Sequence, residues 1–199
     1  MFTSNHKAIV IKSGDYREFD KRVLLFTENS GILPCVVKGV KKPKAKLKFA
    51  AEIFGFNEYQ LVEKRGCFTV TSATPLESLF KLALDTDSFL AASAMLEASQ
   101  KVVAEKEESG AASAMFIKLL KAFKAILYQH INPYLVAMLY TYHALAFAGY
   151  ESTPKEIAIF DYETLPKEVR NPPITYLKTA ISILEQKLDT KLVVSLSLL

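Results

Sequence analysis

The period of the apolar positions changes near Thr74. Before it, five short stretches rich in Val, Ile, Phe and Thr read as strands: 7–14, 21–28, 32–39, a longer one from Phe49 to Val62, and 66–73. Gly14, Asn29-Ser30-Gly31, Gly39 and Gly66 punctuate them. The fourth stretch slips phase. Phe54 and Phe56 share one parity, whereas Tyr59 and Leu61 take the other. A bulge near Asn57 repairs this, as in a strand that curls round a barrel. Five short strands in about 70 residues predict a small barrel of the OB or SH3-like kind, and periodicity alone does not choose between the two.

After Thr74 the spacing is helical. Pro75 is expected to open a short helix carrying Leu76, Leu79, Phe80 and Leu84. A second helix runs from about Thr86 to Glu105 and a third over about 111–129. The third has Met115, Phe116, Leu119, Leu120, Phe123 and Leu127 on an apolar face and Lys118, Lys121 and Lys124 on one ridge. Asn132 and Pro133 read as the N-cap and first residue of a central helix, and Gly149 as its C′ stop. Residues 150–173 look irregular, 174–188 form a fifth helix, and the apolar tail 192–199 must dock. The resulting organisation is a barrel domain, 1–75, followed by a helical domain, 76–199, with a short irregular insert at about 150–173.

Composition narrows the class. The chain has 199 residues, 50% of them hydrophobic and 23% charged, which excludes global disorder. Two cysteines, Cys35 and Cys67, make neither a disulfide scaffold nor a four-cysteine zinc site, and the chain reads as intracellular, reduced and cytoplasmic. Both cysteines are expected to act as small core hydrophobes. The apolar run 8–11 is too short for a signal peptide core. The 26 residues between Lys124 and Glu151 carry no Asp, Glu, Lys or Arg. Asn132-Pro133 interrupts them, so a central core helix explains them more simply than a membrane span. His6, His130 and His143 are scattered, and His143 reads as a hydrogen-bonded core residue. No phosphate-binding glycine loop, zinc-protease motif or nucleophile elbow occurs, so no catalytic residue, cofactor or enzymatic activity is expected.

Charge is unevenly shared. Residues 1–75 hold 13 basic and 7 acidic side chains, whereas 76–199 hold 12 and 14. The asymmetry points the first domain at a polyanion. It concentrates in KGVKKPKAKLK, where Lys38, Lys41, Lys42, Lys44, Lys46 and Lys48 fall within eleven residues with no acid among them. Gly39 and Pro43 make this a loop. Crowded like charges repel unless an anion neutralises them, and lysine holds phosphate without reading bases. The expected ligand is therefore nucleic acid held by its backbone. A solvated lysine loop that keeps a barrel soluble is the plainer alternative. Arg17, Lys21 and Arg22 on the preceding turn are weaker candidates for the same role. Tyr16 and Phe19 are possible stacking partners, although aromatic residues near a barrel more often belong to its core.

The order of these pieces resembles a known family. A first strand, a turn with Tyr16, Glu18 and Asp20, then LLFTENSG, a strand ending in VVKG, the basic KKPKAKLK and an aromatic strand follow one another over 8–54. This succession resembles the N-terminal domain of the RecO family of bacterial recombination mediators, and LVAMLYTYHALAFAGY (135–150) resembles that family's central helix. The resemblance implies an α+β chain, an N-terminal five-stranded OB-fold barrel followed by an all-helical C-terminal domain. It implies binding of single- and double-stranded DNA, annealing of complementary strands, and partnership with RecR and SSB in loading RecA. It also implies docking of the acidic SSB C-terminal tail, for which Lys118, Lys121 and Lys124 beside their apolar stripe are the candidates. Many family members carry a four-cysteine zinc motif after the central helix. Residues 150–173 contain no Cys or His, so no zinc is expected. A protein-interaction adaptor without DNA binding, or an RNA-binding barrel protein, are the competing functions.

Overall fold

The computed structural model describes residues 2–103 and 110–149. Five strands, β1 (Phe2–Tyr16), β2 (Asp20–Thr27), β3 (Ile32–Val37), β4 (Gly55–Lys64) and β5 (Cys67–Ser78), close into a barrel in the order β1-β2-β3-β5-β4. Three helices follow, α1 (Thr86–Val102), α2 (Gly110–Gln129) and α3 (Pro133–Phe147). The chain is thus an α+β protein with an N-terminal OB-fold barrel and helices after it. The expected fifth helix, the irregular region 150–173 and the tail lie outside the described residues.

β1 makes the closure possible. Its first half pairs antiparallel with β4, from Phe2 opposite Glu63 to Ile9 opposite Phe56, and its second half with β2, from Ala8 opposite Thr27 to Tyr16 opposite Asp20. A bulge between Val10 and Lys12 bends it. The two ladders overlap at Ala8 and Ile9, and from there through the bulge all four residues Ala8–Ile11 are buried. Ala8 and Val10 join Val23, Leu25, Leu33, Cys35, Leu61 and Val70 inside the barrel. On the opposite face Ile9 sits opposite Phe26 and Phe56, and both rings meet Phe116, Phe26 edge-on at 5.4 Å.

The register shift expected near Asn57 is present, but its extra residue lies in β5: Phe56 pairs with Glu77 and Asn57 with Pro75, leaving Leu76 over. β4 itself alternates without a break, with Asn57, Tyr59 and Leu61 on the inner face and Phe56 on the outer, where Phe116 covers it. Asn57 faces inward with Tyr59, and its Nδ2 donates to the Tyr59 hydroxyl at 2.8 Å. That hydroxyl donates in turn to the carbonyl of Ala50 at 3.0 Å. Ala50 belongs to a 3-10 turn, Lys48–Ala51, that places Ala50 and Ala51 in the barrel core. The long fourth stretch is therefore a 3-10 turn followed by a strand beginning at Gly55, not one strand from Phe49. At the far end, Arg65 and Gly66 both have positive φ, 53° and 76°, as a two-residue hairpin turn requires.

Pro75 does not open a helix. It lies within β5 opposite Asn57, next to the extra residue Leu76, and a bulge is a place where a sheet tolerates proline. The helical turn comes later, as a 3-10 segment at Phe80–Ala83.

The residues group into two compact units, one of Met1–Phe80 with Val103–Phe116, the other of Lys81–Val102 and the chain from Ile117. Within the second, Asp85 caps α1, accepting from Ser88 N at 2.9 Å, and Asn132 caps α3 with Pro133 in its first turn. Gly149 follows α3 with φ of 86° and donates to the Ala146 carbonyl, the expected C′ geometry. α1 and α3 are joined in the core by Tyr140, whose hydroxyl lies 2.7 Å from Ser99 Oγ. No helix of the described residues is long and apolar enough to cross a membrane.

Tyr59 carries a buried polar relay, so its loss strands two groups. Tyr59→Phe is expected to lower unfolding free energy by about 1–3 kcal/mol, the cost of an unsatisfied buried amide and carbonyl. Urea denaturation followed by circular dichroism measures it, and an unchanged midpoint contradicts the relay.

Candidate nucleic-acid interface

The lysine loop is held by the turn between β1 and β2. Asp20, the first residue of β2, accepts from the backbone N of Gly39 at 2.8 Å. The carbonyl of Phe19 accepts from Lys41 N at 3.0 Å. The Lys41 ammonium lies 2.8 Å from Asp15 Oδ2, and Lys42 Nζ stands 5.5 Å from the centre of the Phe19 ring. Within the loop, Lys42 N donates to the Gly39 carbonyl and Ala45 N to that of Lys42, so the chain coils tightly around Pro43. Segments separated by some 20 residues in sequence thereby form one edge of the barrel.

The eleven-residue lysine stretch contains no acid of its own. Asp15 supplies one: hydrogen bonding to Lys41, and then the charge of Lys41, hold the Asp15 carboxyl below the usual carboxylate range. The sequence signal was the acids in SGDYREFD, but only the fold shows which lysine they meet.

Each expected phosphate contact has a defined place. Lys38, Lys41, Lys42, Lys44, Lys46 and Lys48 are exposed, as are Arg17 and Arg22, while Lys21 is half-buried. Arg17 adopts φ of 59°, the left-handed region, in the tight turn, and its guanidinium lies 5.1 Å from the centre of the Tyr16 ring. Tyr16 and Phe19 are 37% and 41% exposed, so neither ring belongs to the barrel core. The edge thus gathers the loop lysines, Arg17 and two accessible aromatic faces, the chemistry that grips a phosphate backbone and stacks bases. Lys118, Lys121 and Lys124 lie elsewhere, on α2; Lys121 is exposed, the other two half-buried, and none of the three stands without an interaction.

Residues 1–79 match the family model described as Recombination protein O N terminal. This segment contains every barrel strand and the whole lysine loop. In this barrel segment the chain is similar to the RecO family. A protein named DNA repair protein RecO from Desulfitobacterium hafniense is 39% identical over 90 residues, 45% of this chain and 33% of that protein. Two others of that name, from Nocardioides sp. and Clostridium novyi, are 32% and 29% identical, each over 72% of this chain and 59% and 55% of their own lengths. The chain therefore matches between about a third and three fifths of these RecO proteins.

Other chemistry is sparse. Among the described residues no three His, Cys, Asp or Glu side chains gather as a metal site. His143 is half-buried on α3. Cys35 lies inside the barrel, where burial pushes its thiol up to about 12. Cys67, in contrast, is exposed, because it starts β5 immediately after the hairpin turn, and so is not the core residue its apolar neighbours predicted. A disulfide-exchange reagent at pH 8 is expected to titrate one thiol of two in the native protein. Cys67→Ser should abolish that phase, and Cys35 should react only after unfolding. Two fast thiols would contradict the burial of Cys35.

Proposed function

We propose that this chain is a non-enzymatic, cytoplasmic DNA-binding recombination mediator. It binds single- and double-stranded DNA, anneals complementary strands and helps load RecA onto SSB-coated DNA, with RecR and the SSB C-terminal tail as partners. The barrel, residues 1–75, is the nucleic-acid-binding domain, and the helical domain, 76–199, carries the protein contacts. The observation that carries this reading is the docking of the lysine loop on the β1–β2 turn, through Asp20, Phe19 and Asp15. A lysine cluster held in place presents its charge to a backbone without first having to be ordered. The names of the relatives support the same reading.

Annealing in this scheme is electrostatic. Lysines that neutralise two phosphate backbones let complementary strands approach, while pairing itself supplies the sequence recognition. An adaptor without DNA affinity would leave the protein unable to bind oligonucleotides at all. An RNA binder would prefer an RNA competitor.

Fluorescence anisotropy of a labelled single strand across a salt series tests the loop. Replacing Lys42, Lys44 and Lys46 by Ala removes three phosphate contacts and should lower the slope of log K against log salt by about 2. Lys41→Ala should change it less, because Asp15 already serves that ammonium as counter-ion. Unchanged affinity and slope in the folded triple variant refute the assignment.

The ridge on α2 is the proposed seat of the acidic SSB tail, charge steering it and an apolar stripe holding it. Charge reversal at Lys121 and Lys124 should weaken binding of an acidic C-terminal peptide by about 1 kcal/mol or more, with little change in binding to naked single strands. Untouched peptide binding in a folded variant places the partner site elsewhere.

A further inference from the structure

Gly14 has no structural reason to be glycine. It sits in β1 opposite Arg22, in a stretch of unbroken register from Lys12 to Tyr16, so it marks no bulge. Its φ is not in the left-handed region. A Cβ built on it would meet nothing within 4 Å, so no neighbour requires the space. A glycine within a paired strand weakens that strand, and its remaining use there is to let another molecule approach the backbone closely.

The surroundings say what would approach. Side chains alternate across a strand, so Lys12, Gly14 and Tyr16 share the outer face of β1, and their partners Leu24, Arg22 and Asp20 share that of β2. Above Gly14 lies an open cleft of about 320 Å³, lined by Lys12 on one side and Arg22 on the other, with Leu24 and Asp15 at its rim. Lys12 and Arg22 are exposed, and the Asp15 carboxylate is tied to Lys41. Two cations therefore flank a shelf of bare backbone that no side chain fills.

We propose that this shelf is a phosphate subsite for nucleic acid, separate from the lysine loop, in which one phosphodiester rests over Gly14 between Lys12 and Arg22. The proposal rests on the DNA-binding reading above and adds two residues, Lys12 and Gly14, to it. Gly14 acts by clearance: a branched side chain there would lift the strand off the barrel and away from both cations. Tyr16, two residues along the same face, continues the track towards the lysine loop.

The test uses the full chain, a labelled oligothymidine and a salt series. Gly14→Val should fold with thermal stability equal to or above that of the parent, since valine suits a strand better than glycine. It should nevertheless bind the single strand at least tenfold more weakly. Lys12→Gln combined with Arg22→Gln should lower the salt slope by about 0.7, the loss of one phosphate contact on a single strand. In that background Gly14→Val should cost little more, because the phosphate is already lost. Should Gly14→Val fail to fold, Gly14→Ala and the Lys12/Arg22 pair carry the same comparison. Parental affinity and slope in folded Gly14→Val, or in the Lys12/Arg22 variant, overturn the subsite while leaving the lysine loop assignment intact. A parent protein that binds no oligonucleotide overturns both.

Discussion

The double pairing of β1 is the constraint on which the barrel unit depends. One strand of 15 residues serves two ladders, β4 along its first half and β2 along its second, and it bends between them. The bulge between Val10 and Lys12 supplies the bend, and burial on both faces of Ala8–Ile11 holds it. Inside, those residues complete the barrel core. Outside, Ile9 anchors the patch that receives Phe116. Beyond the bend, the same strand carries Lys12, Gly14 and Tyr16 outward and delivers the turn that holds the lysine loop. The geometry of closure and the geometry of the candidate interface are consequences of one strand's path.

The loop itself shows how a protein tolerates concentrated charge. Six lysines in eleven residues repel one another, and the barrel answers with two carboxylates of different duty. Asp20 spends its oxygen on the Gly39 backbone and fixes where the loop leaves the barrel. Asp15 meets Lys41 directly. Because Lys41 holds the folded Asp15 carboxyl below its usual range, the bridge favours the folded state above the unfolded carboxylate pKa. That contribution is lost as pH falls through the depressed value. At neutral pH it is fully present, and the pair is exposed enough for solvent to keep its contribution small. Its value lies in placement, since it leaves the other lysines on the outer side of a tethered loop.

Local chemistry was readable in the sequence where a single segment contained both the cause and its effect. The parity change between Phe56 and Tyr59 marked the place of a register shift, although the extra residue is Leu76 of β5, and Asn132, Pro133 and Gly149 marked both ends of α3. The lysine loop was visible as charge. What failed was whatever needed a partner distant in the chain. Pro75 looked like a helix start because the strand it pairs with lies 18 residues earlier. Cys67 looked apolar by its neighbours, yet the hairpin turn puts it at a strand's exposed start. Phe116 read as one member of a helical stripe, but it packs against Phe26 and Phe56, two strands of the barrel. The carboxylates that hold the lysine loop lie 26 and 19 residues before the groups they meet. Periodicity reports which face of an element is apolar, and it is silent about which other element covers that face.

Gly14 belongs to a further class, in which the informative feature is an unneeded concession. Tertiary structure explains most unfavourable local choices: Gly66 sits where its φ must be positive, and buried Asn57 has the Tyr59 hydroxyl for a partner. Read in sequence, Gly14 was merely punctuation at the end of a strand. In the fold it is inside one, unstrained and uncrowded, between an exposed lysine and an exposed arginine. A residue that weakens its own strand and is required by nothing around it needs a cause outside the chain. The lysine loop projects charge and can meet a backbone in many poses. The shelf at Gly14, as proposed, suits an anion that comes close to the strand backbone. On the proposed reading, the two sites divide capture, which long lysines serve, from register of the captured backbone against a rigid surface, which needs a strand with nothing on it.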